Sequence, residues 1–118
     1  MKDLPVIREW IDITLTNYTK QIGHPKPSLN FNGDKEDKHR HSNCEPNSKY
    51  NKGISCNKCN TLYINIEQNN DIRDLENTIV HELVHLRFPK LRHGEEFFTT
   101  LGMILMGKRY KRVHRRNK

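Results

Sequence analysis

The pentapeptide His81-Glu82-Leu83-Val84-His85 places two imidazoles and a carboxylate within two turns of a predicted helix. Helical residues four apart lie about 40° apart around the axis, so both imidazoles can reach one metal ion. Glu82 points to one side of that ion, where it can take a proton from a water molecule whose pKa zinc lowers toward about 7. This H-E-x-x-H pattern predicts zinc-dependent hydrolysis, with Glu82 as general base. The alternative is two partly exposed histidines on an ordinary amphipathic helix.

A catalytic zinc ion needs a third protein ligand and one open coordination position. Pro89 ends the helix, so the chain can return to the metal only beyond that residue. His93 is the first candidate, and Gly94 after it is expected to allow a close approach of the backbone to the site. Glu95 and Glu96 are the alternatives as third ligand. If neither binds the metal, their carboxylates favour the N-terminus of the following helix.

Three amphipathic helices are predicted from apolar residues that recur three and four positions apart. The first spans residues 3–22, with Asp3 as its cap and Gly23 as its end. The second spans residues 71–88 and begins with a capping pattern, and the third spans residues 95–106. The residues predicted to face inward are Ile7, Ile11, Leu15, Tyr18 and Ile22, then Ile72, Leu75, Ile79, Leu83 and Leu86, then Phe97, Phe98, Leu101, Ile104 and Leu105.

The segment between the first two helices is polar, with room for brief strands near residues 28–32 and 53–55. Residues 61–68, TLYINIEQ, alternate between apolar and polar, which predicts a strand buried on one face. Tyr63 and Asn65 are expected on the other face. As an edge of the sheet, this strand would align an extended substrate through backbone hydrogen bonds.

HELVHL followed by HGEEF resembles the SprT-like zinc metalloproteases and their compact YgjP-like and WLM relatives, over about residues 60–106. In those families a histidine in a His-Gly/Ser-x-x-Phe motif follows the H-E-x-x-H helix. The resemblance implies His81, His85 and His93 as zinc ligands, Glu82 as general base, and proteins attached to DNA as substrates. It also implies a minimal zincin plan. A glutamate as third ligand would instead resemble a minimal gluzincin. The seven residues between His85 and His93 match neither branch of the SprT-like relatives in length.

The polar middle of the chain carries a second set of metal-binding residues. They follow the spacing His-x2-Cys, eleven residues, Cys-x2-Cys, and are His41, Cys44, Cys56 and Cys59. Two such turns each offer two ligands to a tetrahedral structural zinc ion. A zinc knuckle at about residues 39–60 would supply folding free energy that this segment cannot obtain from burial. His39 is an alternative to His41, and three thiols without a metal is the other interpretation.

Charge is concentrated at one end of the chain. Residues 108–118 hold seven of the 21 Lys and Arg and no acidic residue, so the remaining 14 basic residues balance the 14 acidic ones. A basic tail of this kind is attracted to polyanions, which predicts DNA as a partner, unless it only aids solubility. A DNA-binding protein in which both metal sites are structural is therefore the competing function.

The 118 residues suffice for one domain, so residues 1–118 are predicted to form a single α+β unit. Its elements would be an N-terminal helix, a small sheet with the knuckle inserted, the H-E-x-x-H helix and a C-terminal helix. No apolar run approaches the length of a membrane span, and we read no signal peptide. The expected location is the cytoplasm, with the nucleoid as a site within it.

Overall fold

The computed structural model describes residues 1–31 and 51–107. These form an α+β fold with three helices and a three-stranded sheet, compatible with a minimal zincin, so the predicted fold class is confirmed. The elements in chain order are α1 (Pro5–Ile22), β1 (Ser28–Phe31), β2 (Gly53–Cys56), β3 (Thr61–Ile64), a short 3-10 helix (Ile66–Gln68), α2 (Ile72–Arg87) and α3 (Glu95–Leu105).

Helix α1 begins differently from the prediction and ends as predicted. Leu4 is its N-cap residue, and its apolar side chain can make no capping bond. Asp3, the predicted cap, instead forms an ion pair with Arg8 at 2.8 Å. Pro5 lies in the first turn, where a backbone N–H would have no partner within the helix, so the missing N–H of proline costs no hydrogen bond. Gly23 ends the helix at φ 68°, a left-handed conformation that glycine adopts without strain.

The sheet has the order β1-β3-β2, with β1 parallel and β2 antiparallel to β3. The prediction of a half-buried strand over residues 61–68 is wrong in two respects. All four residues of β3 are buried, because the strand is paired on both sides and covered on both faces. The strand also ends at Ile64, and the 3-10 helix follows. A central strand has no free edge, so β3 cannot align a substrate.

Helix α2 lies across the sheet and forms the centre of the core. It starts at a cap in which the Asp71 side chain accepts a hydrogen bond from the Asp74 N–H at 2.8 Å, and it ends before Pro89 as predicted. Ile72 was expected inward but is 40% exposed, because it lies in the first turn at the edge of the apolar face. The buried apolar residues of α2 beyond its predicted stripe are Val80 and Val84.

Helices α1 and α3 pack on α2 and complete the core. The Tyr18 hydroxyl donates to Glu76 on α2 at 2.5 Å, and the Gln21 amide donates to the Ile104 carbonyl of α3 at 2.9 Å. In α3, Phe97, Leu101 and Ile104 are buried as predicted. Phe98, which was expected inward, is 53% exposed. Among residues 1–31 and 51–107, no helix combines the length and the apolar character that crossing a bilayer requires.

Candidate metal centre

Three histidines from two neighbouring elements meet at one point. His81 and His85 lie one turn apart on α2, and His93 lies in the segment that leads into α3. The Nε2 atom of His93 is 2.9 Å from that of His85 and 3.2 Å from that of His81. Nitrogen ligands of a tetrahedral zinc ion, at bonds of about 2.0–2.1 Å, lie about 3.3 Å apart. The cluster therefore has dimensions that fit such an ion.

The donor atoms of this cluster also fit a cation chemically. The Nε2 atom of His93 faces the Nε2 atoms of both other rings. A proton on one of these nitrogens can make a hydrogen bond to only one other nitrogen. A metal cation, in contrast, can accept a lone pair from all three rings at once. Within the part of the chain that the structure describes, these three residues are the one group of three or more side chains able to hold a metal ion.

The electrostatic environment keeps the two imidazole rings on α2 in the neutral form that binds metals. Burial, followed by the nearby His85 and His93, lowers the pKa of His81 to about 4. Burial, followed by His93, lowers the pKa of His85 below its usual value. Two neutral imidazoles on α2 are thus available as ligands at neutral pH without the loss of a proton.

Phe97 lies beneath all three histidines. Its ring centroid is 4.9 Å from that of His81, 4.7 Å from that of His85 and 4.9 Å from that of His93. The ring is fully buried, so it limits the positions that the imidazoles can take. Phe97 was predicted as a core residue, and its contact with the histidines was not predicted. The final aromatic position of the HGEEF motif was the available signal, because a side chain four residues after His93 on a helix entrance can fold back beneath it.

Glu82 lies beside the cluster and is held by strand β2. The residue is only 8% exposed. Burial raises the pKa of its carboxyl group to about 7, and a hydrogen bond with the Ser55 side chain opposes that shift. A carboxyl group whose pKa lies near neutrality is suited to both accept and return a proton.

Gly53 allows β2 to approach α2 at this point. A Cβ atom on Gly53 would lie 2.8 Å from Cγ2 of Thr78 and 3.2 Å from Cγ of Glu82. Residues two apart on a strand share a face, so Gly53 and Ser55 both face α2. The contribution of this pair to the site was not visible in the sequence, because it depends on which element β2 packs against.

The start of β2 is fastened to α2 by a set of polar contacts. Lys52 pairs with Asp74 at 2.9 Å, and its carbonyl accepts a hydrogen bond from the Asn65 N–H. The buried Asn69 side chain donates to the Asn65 carbonyl at 2.8 Å and accepts from the Thr78 hydroxyl at 2.6 Å.

The cleft between β2 and α2 has a volume of about 210 Å³. Its lining residues are Asn51, Lys52, Gly53, Asp74, Asn77, Thr78, His81 and Glu82.

The alternative third ligands, Glu95 and Glu96, lie in the first turn of α3 and do not belong to the histidine cluster. Their position fits the alternative role given above, in which their carboxylates stabilise the N-terminus of α3. The expectation for Gly94 is wrong. Its backbone is extended, and an added Cβ would meet only the Arg92 carbonyl oxygen, at 3.9 Å. The approach of His93 to α2 therefore does not depend on a glycine there.

The residues of the predicted zinc knuckle are only partly described. Cys56 is the last residue of β2 and Cys59 lies in the turn to β3. His41, its alternative His39, and Cys44 lie outside the described residues, as does the basic tail 108–118.

Comparison with known proteins supports the fold and leaves the family open. No family profile matches this chain, and no characterised protein sequence matches it. The crystal structure of the metallopeptidase zymogen of Pyrococcus abyssi abylysin aligns with a TM-score of 0.54, covering 77% of this chain and 75% of that chain. The two sequences are 15% identical in that alignment, so the likeness concerns the fold. The chain shares the fold of a metallopeptidase, and membership of the SprT-like family stays a prediction.

Proposed function

We propose that the protein is a zinc-dependent endopeptidase. The observation that supports this most directly is the convergence of one ring nitrogen from each of His81, His85 and His93, all within 4.8 Å of one another. Three histidine ligands leave the fourth position of a tetrahedral zinc ion open, which distinguishes a catalytic site from a structural one. The metallopeptidase fold is consistent with the same function.

The chain supplies the acid-base chemistry through Glu82. A zinc ion bound at the three histidines would polarise the scissile carbonyl and acidify a water molecule. Glu82 lies one residue after His81 and takes the proton of the attacking water. The same carboxyl group then returns that proton to the leaving amine. Its pKa, raised to about 7 by burial, suits both transfers.

The substrate would bind as an extended peptide along β2. Among the described residues, β2 pairs with β3 alone, and we place the peptide at the edge of β2 that faces away from β3, where backbone hydrogen bonds would hold it. Gly53 and Ser55 of this strand contact the helix that carries Glu82. A peptide added to that edge would therefore run past the catalytic residues. This assignment replaces the prediction that residues 61–68 align the substrate.

We further propose that the substrates are proteins bound to DNA. This draws on the resemblance to SprT-like proteases and on the seven basic residues of the tail 108–118. Such a tail would hold the protein beside the phosphate backbone, in the cytoplasm and at the nucleoid. Affinity for duplex DNA that is independent of sequence, falls steeply with salt and requires residues 108–118 would support this part of the proposal. Equal DNA binding without the tail would contradict it.

The test of the peptidase assignment compares Glu82→Gln with His81→Ala on an unfolded casein substrate. Glu82→Gln is expected to retain zinc and to lower kcat by at least about 100-fold, the low end of what a general base contributes. His81→Ala is expected to lose both zinc and cleavage. Glu67→Gln, on an exposed residue, is the matched control.

Two outcomes would contradict the assignment. Cleavage by Glu82→Gln at the rate of the Glu67→Gln control would exclude Glu82 as the base. A histidine-bound zinc with a fourth protein ligand in place of solvent, seen by X-ray absorption, would instead favour the DNA-binding protein with structural metal sites.

A further inference from the structure

The hairpin between β2 and β3 presents two thiols at one end of the sheet. Cys56 closes β2, where it pairs with Thr61 of β3, and Cys59 lies within the connecting turn. Asn60 follows at φ 47°, in the left-handed region that reverses the chain in tight turns. The turn therefore returns the chain to the pairing partner of Cys56 two residues after Cys59, and Cys59 packs against the buried cluster that contains Cys56.

Both cysteines lie on the same side of the hairpin. Cys56 and Tyr63 form a small buried cluster, and Ile54 and Cys59 pack against it. Ile54 and Cys56 alternate with Gly53 and Ser55, which face α2. The thiols are thus on the face of β2 opposite to Glu82. Cys56 is 7% exposed and Cys59 is half-buried, so a small ion can reach the pair from the side of Cys59.

We infer that Cys56 and Cys59 form half of a second metal site, which binds zinc or another soft divalent cation as thiolates. Cys-x2-Cys in a turn is the spacing with which structural zinc sites hold two ligands, and the conformation of this hairpin supplies the shared orientation. On binding, each thiol releases its proton to solvent and each sulfur donates a lone pair to the cation, so no oxidant or reductant is needed. The inference goes beyond the proposed peptidase and does not depend on it.

The same turn contacts the helix of the first site. The Asn57 side chain, between the two cysteines, donates a hydrogen bond to the backbone carbonyl of His85 at 2.8 Å. A cation that fixes the conformation of the turn would also fix this contact. The second site would thus hold the C-terminal end of α2, where a histidine of the first cluster lies. Its role is structural, since its thiols face away from the cleft.

Cobalt substitution of the full chain tests this site. With Co²⁺ in place of zinc, a thiolate-bound ion gives an intense near-ultraviolet charge-transfer band, whereas an ion bound by histidines alone does not. The wild-type chain is expected to show this band. His81→Ala/His85→Ala is expected to bind one equivalent less metal and keep the band. Cys56→Ser/Cys59→Ser is expected to lose one equivalent and to lose or greatly weaken the band.

A second measurement covers the case in which the cysteine variant does not fold. Alkylation of the wild-type chain, with each site identified by mass spectrometry, is expected to be at least tenfold slower at Cys56 and Cys59 with zinc than after chelation. Absence of the band in the wild-type chain, an unchanged band in a folded cysteine variant, or equal alkylation rates would overturn the inference. Neither readout involves cleavage, so a failed peptidase assay would leave this site standing, and a missing band would leave the proposed function standing.

Discussion

The two sides of helix α2 hold their functional groups in different ways. On one side, His81 and His85 are half-buried and meet an exposed His93, which is separated from His85 by only seven residues. On the other side, Glu82 is buried against β2, a strand that precedes it by some 26 residues. The histidine cluster thus depends on helix spacing and one short connection, whereas the position of the Glu82 carboxyl group depends on tertiary packing. A change on either side should therefore affect one function more than the other.

The largest effect, a loss of zinc affinity, is expected from removing the imidazole of His93. His93→Ala should lower zinc affinity by more than about 100-fold, since even residues that only orient metal ligands contribute about 10–100-fold. Glu95→Ala and Glu96→Ala should leave zinc affinity within a few-fold of wild type. Competition titration with a chelating dye measures all three. A larger loss of affinity in either glutamate variant than in His93→Ala would restore the minimal gluzincin assignment.

An intermediate effect, on stability and on kcat, is expected where β2 packs against Glu82. Gly53→Ala places a methyl group 2.8 Å from Thr78 and 3.2 Å from Glu82, so it should lower the free energy of unfolding by about 1–3 kcal/mol. It should also lower kcat while the histidine cluster still binds zinc.

Gly102→Ala is the matched control, because a Cβ there meets no atom within 4 Å and the residue lies in α3. That variant should be neutral or more stable by up to about 1 kcal/mol. Urea denaturation of the two variants side by side makes the comparison. Equal stability of the two would mean that β2 does not pack against α2 at this position.

The smallest effect is expected from a single hydrogen bond. Ser55→Ala removes the bond to Glu82 while leaving the backbone of β2 in place. We expect kcat to fall by about 3–10-fold, the equivalent of one hydrogen bond of about 1 kcal/mol, with zinc content and KM little changed. Ser55→Thr keeps the hydroxyl group and should recover most of the activity. A loss of zinc in Ser55→Ala would show that the two sides of α2 are not independent.

The helix ends and the convergence of the three histidines were predictable because both depend on residues close together in the sequence. Gly23 ends α1 through its own conformation, and Asp71 caps α2 through a residue three positions later. The i, i+4 spacing of His81 and His85 likewise needs no knowledge of the rest of the fold. His93 was inferred from a motif just past the end of the same helix.

The errors arose where position in the sheet or packing between elements decides the outcome. The alternation in residues 61–68 predicted an exposed face, but β3 lies between two other strands and is buried on both faces. Gly94 was thought to matter because it adjoins His93, whereas the close approach of backbone and helix occurs at Gly53. No periodicity in the chain indicates that contact, because its two partners lie far apart in sequence.

The exposure of His93 has a consequence for how the site would exchange its metal. His81 and His85 are fixed on a helix, so they form a preorganised pair that retains its geometry without the third ligand. His93 is the most accessible of the three and lies on the connecting segment between two helices. Capture would therefore be stepwise, with the pair binding first and His93 closing the site as an intramolecular ligand at high effective concentration. A chelator would reach the ion from the side of His93, the exposed histidine of the three.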